Sequence, residues 1–358
     1  MGREMKFLFF PLLLFVAASS AEINGENVRH LRVAIAADAH DHFDQFEGFV
    51  EKYGKKYADE KEALNRFDVF RSNLRQAVEQ QREQSGTATF GVNSLSDLSD
   101  QEFRQQKLAY RPPADDSWAT GAVIATAEEL RSPVGPDLPV AWSWRDPAHR
   151  CVTKVKDQDQ CGACWAFASV GAIECQLFLT RGILTDLSVE QILDCSGMNA
   201  TCGKESRGTG DVYTIARDIG GLNTWEEFPY ADTNVTTGCR TNSSGLRAKV
   251  RAPKYYKGIS ENELLAVLYK DGAVTVGLAM GGFKGYTGGV FEPKQPYGNV
   301  DHAVLLVGYG VEGGQPYWEL KNSWGEGWGD GGFFRLKRGR DPLWITSGVT
   351  RPVLEGGE

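Results

Sequence analysis

Two cysteines in Cys161-Gly-Ala-Cys164 are the first residues whose types and spacing could do chemistry. Such a pair admits three readings: a thiol redox couple, half of a zinc site, or a structural cysteine beside a nucleophile. Zinc needs a second ligand pair. The only histidines beyond residue 136 are His149 and His302, neither at ligand spacing, so no metal is expected. A redox couple belongs on a small βαβ unit, and VTKVKDQDQ (152–160) is not an apolar parallel strand. The cysteine count favours the third reading, since seven make three disulfides and one free thiol. Cys164 is followed at once by the run Trp165 to Leu179, which suits a buried helix. A helix N-terminus presents unpaired N–H groups and positive potential, both of which favour a thiolate.

A thiolate nucleophile needs a partner to carry its proton. His149 lies in an irregular Pro-Ala-His-Arg segment, whereas His302 opens an apolar strand, HAVLLVGYG. That strand and PYWELKNSW flank the glycine-rich stretch Gly310 to Gln315, so they should pair as an antiparallel hairpin. Folding about residue 312 places Asn322 opposite His302. A side-chain amide there can accept the imidazole N–H and fix its tautomer. Acyl transfer also needs donors for a developing oxyanion. The N–H of Cys164 qualifies, together with the side-chain amide of Gln158 or Gln160.

The elements that must hold these residues follow from the rest of the chain. Its 358 residues are enough for two cores, and 41% hydrophobic with 24% charged residues is a globular composition. A formal charge of −8 argues against a nucleic-acid partner, which would require a basic face. Arg3 and Lys6, the apolar run Phe7–Val16 and the small residues Ala17–Ala21 have the pattern of a secretory signal peptide over 1–21. The run is too short to span a bilayer. The sequons at Asn199, Asn234 and Asn242 agree with secretion, and an oxidising compartment makes disulfides expected. Residues 22 to about 110 look helical, with Phe43, Phe46, Phe49 and Val50 at helical spacing and a second helix over 59–83. Residues 111–139 hold five prolines and no periodicity, which predicts a linker. Beyond it, a helical half (with further helices over 187–193 and 212–217) gives way after Ala248 to strand-like segments. A cleft between two such halves is a common place for an active site. The G-x-G-x-x-G at 308–313 is followed by Pro316 and a strand, so no dinucleotide site is expected.

These residues resemble the papain-like cysteine peptidases, the cathepsin L-like group in particular. VKDQDQCGACWAF (155–167), VDHAV (300–304) and KNSWGEGWG (321–329) are similar to the family's nucleophile, histidine and asparagine segments, in the family's order. The resemblance implies an α+β, two-domain fold: a helical left domain carrying Cys164 and a strand-rich right domain carrying His302 and Asn322. It implies Cys164 as nucleophile, His302 as general base and then acid, Asn322 as orienter, and Gln158 rather than Gln160 in the oxyanion hole. Trp324 would shield the His–Asn pair and Trp328 would line the leaving-group side. Glu62, Arg66, Phe70 and Asn73 resemble the family's propeptide helix pattern, with Ala77 and Gln81 departing from it. Gly91, Asn93 and Asp97 resemble the motif that follows, with Leu95 in place of Phe. Residues 22–136 therefore look like an inhibitory propeptide, and 137–358 like the peptidase, its mature form beginning near Leu138.

The resemblance also maps disulfides onto Cys161–Cys202 and Cys195–Cys239, leaving Cys151 and Cys175 to pair with each other. A late family disulfide is missing at both ends, at Tyr297 and around Leu343–Trp344. After Cys202 the family's Gly-Gly is replaced by GKESRGTGD (203–211), with Gly208 and Gly210 as candidates for its backbone role. Gly277, Val300, Ala303 and Gly348 map to the main specificity pocket, whose small apolar walls suit a bulky apolar side chain. Exopeptidase relatives block the cleft with an inserted His pair or a Cys-tethered remnant, and neither is present. The expectation is a monomeric endopeptidase zymogen without cofactor, acting on proteins or peptides in a lysosome-like compartment or outside the cell. The acidic propeptide suggests activation at low pH. The alternative weighed is a catalytically silent papain-fold binding protein, motivated by the altered residues after Cys202.

Overall fold

The computed structural model describes residues 22–84, 86–112, 121–126, 129–130, 138–197, 207–231, 238–245, 247–294, 298–341 and 343–356. Two compact units divide between Arg71 and Ser72. In the first, α1 (His40–Lys52) buries Phe43, Phe46, Phe49 and Val50, the residues whose spacing predicts one helix face. Phe43 and Phe46 meet Phe67 at 5.3 and 5.6 Å, and Phe46 and Phe49 meet Phe70 at 5.5 and 5.1 Å. Those partners sit on α2 (Glu60–Glu83), whose start is capped by Asp59 accepting from the Glu62 N–H at 2.8 Å.

The second unit holds the remainder of α2, the short helix α3 (Asp100–Lys107) and the whole peptidase half. Ser99 and Glu102 close a capping box at the start of α3. Helix α4 (Cys164–Arg181) is buried from Cys164 to Leu177 on every side, because its sequence has no polar face. Helices α5 (Val189–Cys195) and α6 (Thr209–Asp218) flank it.

Beside α4 lies a nine-stranded mixed sheet. Its centre is β5 (Val274–Leu278), β8 (His302–Glu312) and β9 (Gln315–Lys321), antiparallel throughout. Beyond β9 lie β10 (Phe333–Lys337) and β7 (Val290–Phe291); beyond β5 lie β11 (Val349–Leu354), β4 (Val250–Tyr256) and β2 (Val123–Ile124), and β3 (Trp142–Ser143) pairs with β8. The helix Glu261–Asp271 falls within the half expected to be strand-like. Its capping box, Ser260 with Glu263, is the signal that was available in the sequence. The linker also departs from expectation. Val123 and Ile124 run parallel to Lys254 and Tyr255 of β4, and Glu129 pairs with Lys254 at 3.0 Å. Two β-branched residues between proline clusters suffice to add a strand to an edge with free backbone groups.

The structure contains the disulfides Cys151–Cys175 and Cys195–Cys239. Cys161 is disulfide-bonded, and Cys202 lies outside the described residues, as do Tyr297, Asn199 and Asn234. Asn242 is described and exposed. No helix among the described residues is long and apolar enough to cross a membrane.

A buried ion cluster ties α4 to the segment before the nucleophile. Lys156 Nζ lies 2.9 Å from both Glu174 and Asp186. Glu174 also accepts from Thr153 Oγ1 at 2.6 Å and from the Leu187 N–H at 2.8 Å. Lys321 donates to the same threonine at 3.0 Å, and burial, aided by the Lys156 charge, pulls its ammonium down to about 7. Removing Glu174 leaves Lys156 with Asp186 alone and strips the acceptor from Thr153 Oγ1 and the buried Leu187 N–H, a loss of about 3 kcal/mol for a buried charged network. Glu174→Ala is therefore expected to lower the denaturation midpoint by that equivalent. A loss below about 1 kcal/mol, the level of a surface pair, would contradict the burial argument.

Candidate active site

Cys164 stands at the first turn of α4 and is the free cysteine among those described. Cys161 is engaged in a disulfide, so the two do not form a redox couple with each other. No cluster of metal-ligating side chains occurs among the described residues. Main-chain groups of Ala303, Trp165 and Cys164 itself favour the thiolate, placing the sulfur against the residue that follows His302.

The hairpin that carries His302 turns between Gly313 and Gly314, whose φ values of +56° and +80° suit a two-residue turn. Glu312 pairs with Gln315, and a bulge between Leu306 and Gly308 brings Leu305 opposite Lys321. The register thus differs from a fold about residue 312. Carried onward, it sets position 324 rather than 322 opposite His302. The imidazole instead reaches Asn322 diagonally, with Nε2 2.8 Å from Oδ1. Trp324 lies over the ring, with centroids 4.7 Å apart.

The hydrogen-bond pattern assigns the proton. Asn322 Oδ1 accepts from the Ser323 N–H at 2.8 Å and can only accept from His302. Nε2 therefore carries the hydrogen, and Nδ1, which has no hydrogen-bond partner among the described residues, is the basic nitrogen. Ser323 has a second task that was not anticipated from the sequence, although it lies inside the KNSW motif. Its Oγ donates to Gln158 Oε1 at 2.7 Å, which turns the Gln158 amide nitrogen toward the cleft side. Gln158 Nε2 donates to Cys161 O at 2.8 Å and to Gln106 O at 3.1 Å. Gln160 is exposed. Trp328 packs at 4.7 Å behind Trp324, its indole N–H donating to Phe283 O.

Gly277 and Ala303 are neighbours across β5 and β8, and Val300 faces them. A Cβ on Gly277 would stand 2.8 Å from Val300 and 3.4 Å from the Tyr110 ring. At Gly348 a Cβ would meet nothing within 4 Å.

Residues 103–111 run across these groups. Phe103 meets Trp324 edge-on at 5.3 Å, and Lys107 donates to Asp159 O at 2.6 Å and pairs with Asp157 at 3.2 Å. Gln106 O occupies the Gln158 amide, as an acyl oxygen would. Tyr110 N donates to Asp301 O at 3.1 Å. Upstream, Asn93 Nδ2 donates to Lys284 O and Tyr286 O, and β1 (Thr89–Phe90) pairs with β6 (Tyr286–Gly288). Lys284 binds Asn73 at 2.6 Å and pairs with Asp100. That hydrogen bond holds the Asp100 carboxyl below its usual range. The pair is complete above the ordinary carboxylate pKa and is lost as pH falls through the lowered one.

The cover leaves Cys164 and His302 with no exposed surface. Burial pushes the Cys164 thiol up to about 12, with the Asp301 charge adding to it. Burial pulls His302 down to about 4 against the opposing Asn322 bond. Asp301 is half-buried and held by the Met280 N–H at 2.8 Å; burial raises it to about 6.

The comparisons with known proteins agree with this arrangement. The papain family cysteine protease domain matches residues 138–353, and the cathepsin propeptide inhibitor domain matches residues 46–103. The chain is 32% identical to a probable cysteine protease, RD19B, of Arabidopsis thaliana over 98% of both chains. It is 34% identical to cathepsin F of Mus musculus, covering 86% of this chain and 64% of that one. Among solved structures, digestive procathepsin L2 proteinase from the Tenebrio molitor larval midgut superposes with a TM-score of 0.78 at 30% identity, over 87% of this chain and 100% of that one. A free cysteine at a helix start, a histidine bound to an asparagine, and a preceding segment laid over both thus accompany matches along most of the length. The chain belongs to the papain family of cysteine proteases, has its α+β fold, and carries a cathepsin-type inhibitory propeptide.

Proposed function

We propose that Cys164 is the nucleophile and His302 its proton carrier in an endopeptidase. Nδ1 of His302 takes the thiol proton, and the thiolate attacks the peptide carbonyl carbon. The Cys164 N–H and Gln158 Nε2 stabilise the oxyanion. The C–N bond breaks as Nδ1 returns the proton to the leaving amine, leaving a thioester on Cys164. Water, deprotonated by His302, hydrolyses that thioester and regenerates the thiol. Asn322 holds the ring, Trp324 covers the pair, and Trp328 supports Trp324 on the leaving-group side. The observation that carries this reading is the Nε2–Oδ1 bond of 2.8 Å, which leaves Nδ1 as the basic nitrogen.

Residues 1–21 act as the signal peptide, 22–136 are removed, and 137–358 form a monomeric mature enzyme beginning near Leu138. The propeptide is released on acidification; the Asp100–Lys284 pair, with its carboxyl held below the usual range, resists that release until the pH falls through the lowered value. The protein enters the secretory pathway, glycosylated at Asn199, Asn234 and Asn242, and works in a lysosome-like compartment or outside the cell on proteins and peptides. The test is digestion of a denatured protein by acid-matured enzyme, with and without a peptidyl epoxide. Internal cleavages are expected, abolished by one epoxide per molecule on Cys164. A folded, propeptide-free sample that takes up no epoxide and cuts nothing would overturn the assignment.

A further inference from the structure

The pocket at Gly277 is not apolar to its end. Tyr110 fills it with 2% of its surface exposed, its ring edge beside Gly277. Its hydroxyl lies beside Thr209, the first residue of α6, whose side chain and main-chain N–H both act on it. Thr209 is itself buried and held on two sides. Its Oγ1 lies 3.0 Å from Thr350 Oγ1, and its carbonyl accepts from Ser169 Oγ at 3.1 Å. A hydroxyl offers one hydrogen and two lone pairs, so Thr209 Oγ1 can serve Thr350 and a phenol together. Next to it, a Cβ on Gly210 would fall 1.6 Å from the Tyr255 hydroxyl. The missing side chain is therefore what lets a second hydroxyl reach this end of the pocket.

We propose that this pocket reads tyrosine in substrates: small walls at Gly277, Val300 and Ala303 pass the ring, and Thr209 selects the phenol hydroxyl. The proposal deepens the peptidase reading and rests on it, and it replaces the bulky apolar preference that the walls alone imply. Tyr110 is the chain's own template for the ligand. Phenylalanine fills the walls and leaves the hydroxyl end without its partner, and leucine does not reach it. Asp211, whose charge is felt at the Tyr110 hydroxyl, disfavours an acidic side chain in the same place.

The test is cleavage of a positional-scanning peptide library by matured enzyme. One position should prefer tyrosine over phenylalanine by about 3- to 10-fold, the worth of one neutral hydrogen bond. Thr209→Val, which removes the side-chain hydroxyl and keeps the main-chain N–H, should lower that ratio by at least about twofold, and Thr209→Ser should restore it. Should Thr209→Val fail to fold, the wild-type ratio and Thr209→Ser still decide. Cleavage with phenylalanine, leucine or arginine equal to or above tyrosine overturns the proposal and leaves the peptidase intact. An unchanged ratio in Thr209→Val overturns Thr209 as the selecting residue. No cleavage together with no epoxide on Cys164 overturns the peptidase reading and this one with it.

Discussion

Replacing His302 by alanine in the matured enzyme is expected to lower kcat/KM by about 10⁴-fold, at the upper end of what one positioned acid–base group supplies. The imidazole is asked to act twice. It must take the proton of Cys164, and it must hand a proton to an amine that otherwise leaves as a poor anion. Both uses pass through Nδ1, because Nε2 is committed to Asn322 Oδ1 at 2.8 Å. Asn322→Ala should cost less, about 10²-fold, since the ring keeps its packing against Trp324 and loses only its tautomer lock. Steady-state kinetics on a small peptide substrate, with circular dichroism to verify folding, would measure both. Activity of His302→Ala within about tenfold of wild type would sink the assignment, because that lies below the least a positioned acid–base group contributes.

The site was legible in the sequence where chemistry restricts residue type, and less so where packing decides. Cys164 could be singled out because the cysteine count is odd and an apolar helix follows it. Asn322 was reached by folding a hairpin, and the structure sets it 2.8 Å from His302 through a different register. The chain turns at Gly313–Gly314, a bulge intervenes near Leu306, and the side chains meet diagonally. Period-two reasoning cannot see a bulge, which inserts a residue without changing the pattern of types. The helix Glu261–Asp271 was hidden for a different reason. It lies among strands, and only its Ser260–Glu263 box marks it locally. Tyr110 and Thr209 were invisible as a pair because nothing in the sequence links residues so far apart; only the fold brings the phenol to the threonine. Ser323 lay inside a motif already quoted. Its role depends on the orientation of Gln158, which no sequence pattern records.

In the full-length chain, Cys164 should react with iodoacetamide at least about 10³-fold more slowly at pH 7 than in the matured enzyme. Two effects combine. The segment from Phe103 to Tyr110 leaves no exposed surface on the sulfur, and it removes the water that would solvate a thiolate. With the thiol raised to about 12 from an ordinary value near 9, the thiolate fraction alone falls by about three powers of ten. The histidine does not compensate. Buried and lowered to about 4, it stays neutral at pH 7, so no imidazolium is present to hold a thiolate. Lowering the pH toward 5 therefore creates no ion pair while the cover remains. The zymogen's alkylation rate should climb about tenfold per pH unit from 6 to 9. In the matured enzyme, where water returns and Gln158 is freed from Gln106, the thiolate and imidazolium can stabilise each other and the rate should level off. Phe103→Ala, which removes the edge-on contact with Trp324, should move the full-length chain partway toward the matured rate. Full-length and matured rates within tenfold at pH 7 would mean that the segment does not seal the thiol. Inhibition would then have to come from blocking substrate alone, with the reactive pair already formed beneath the cover.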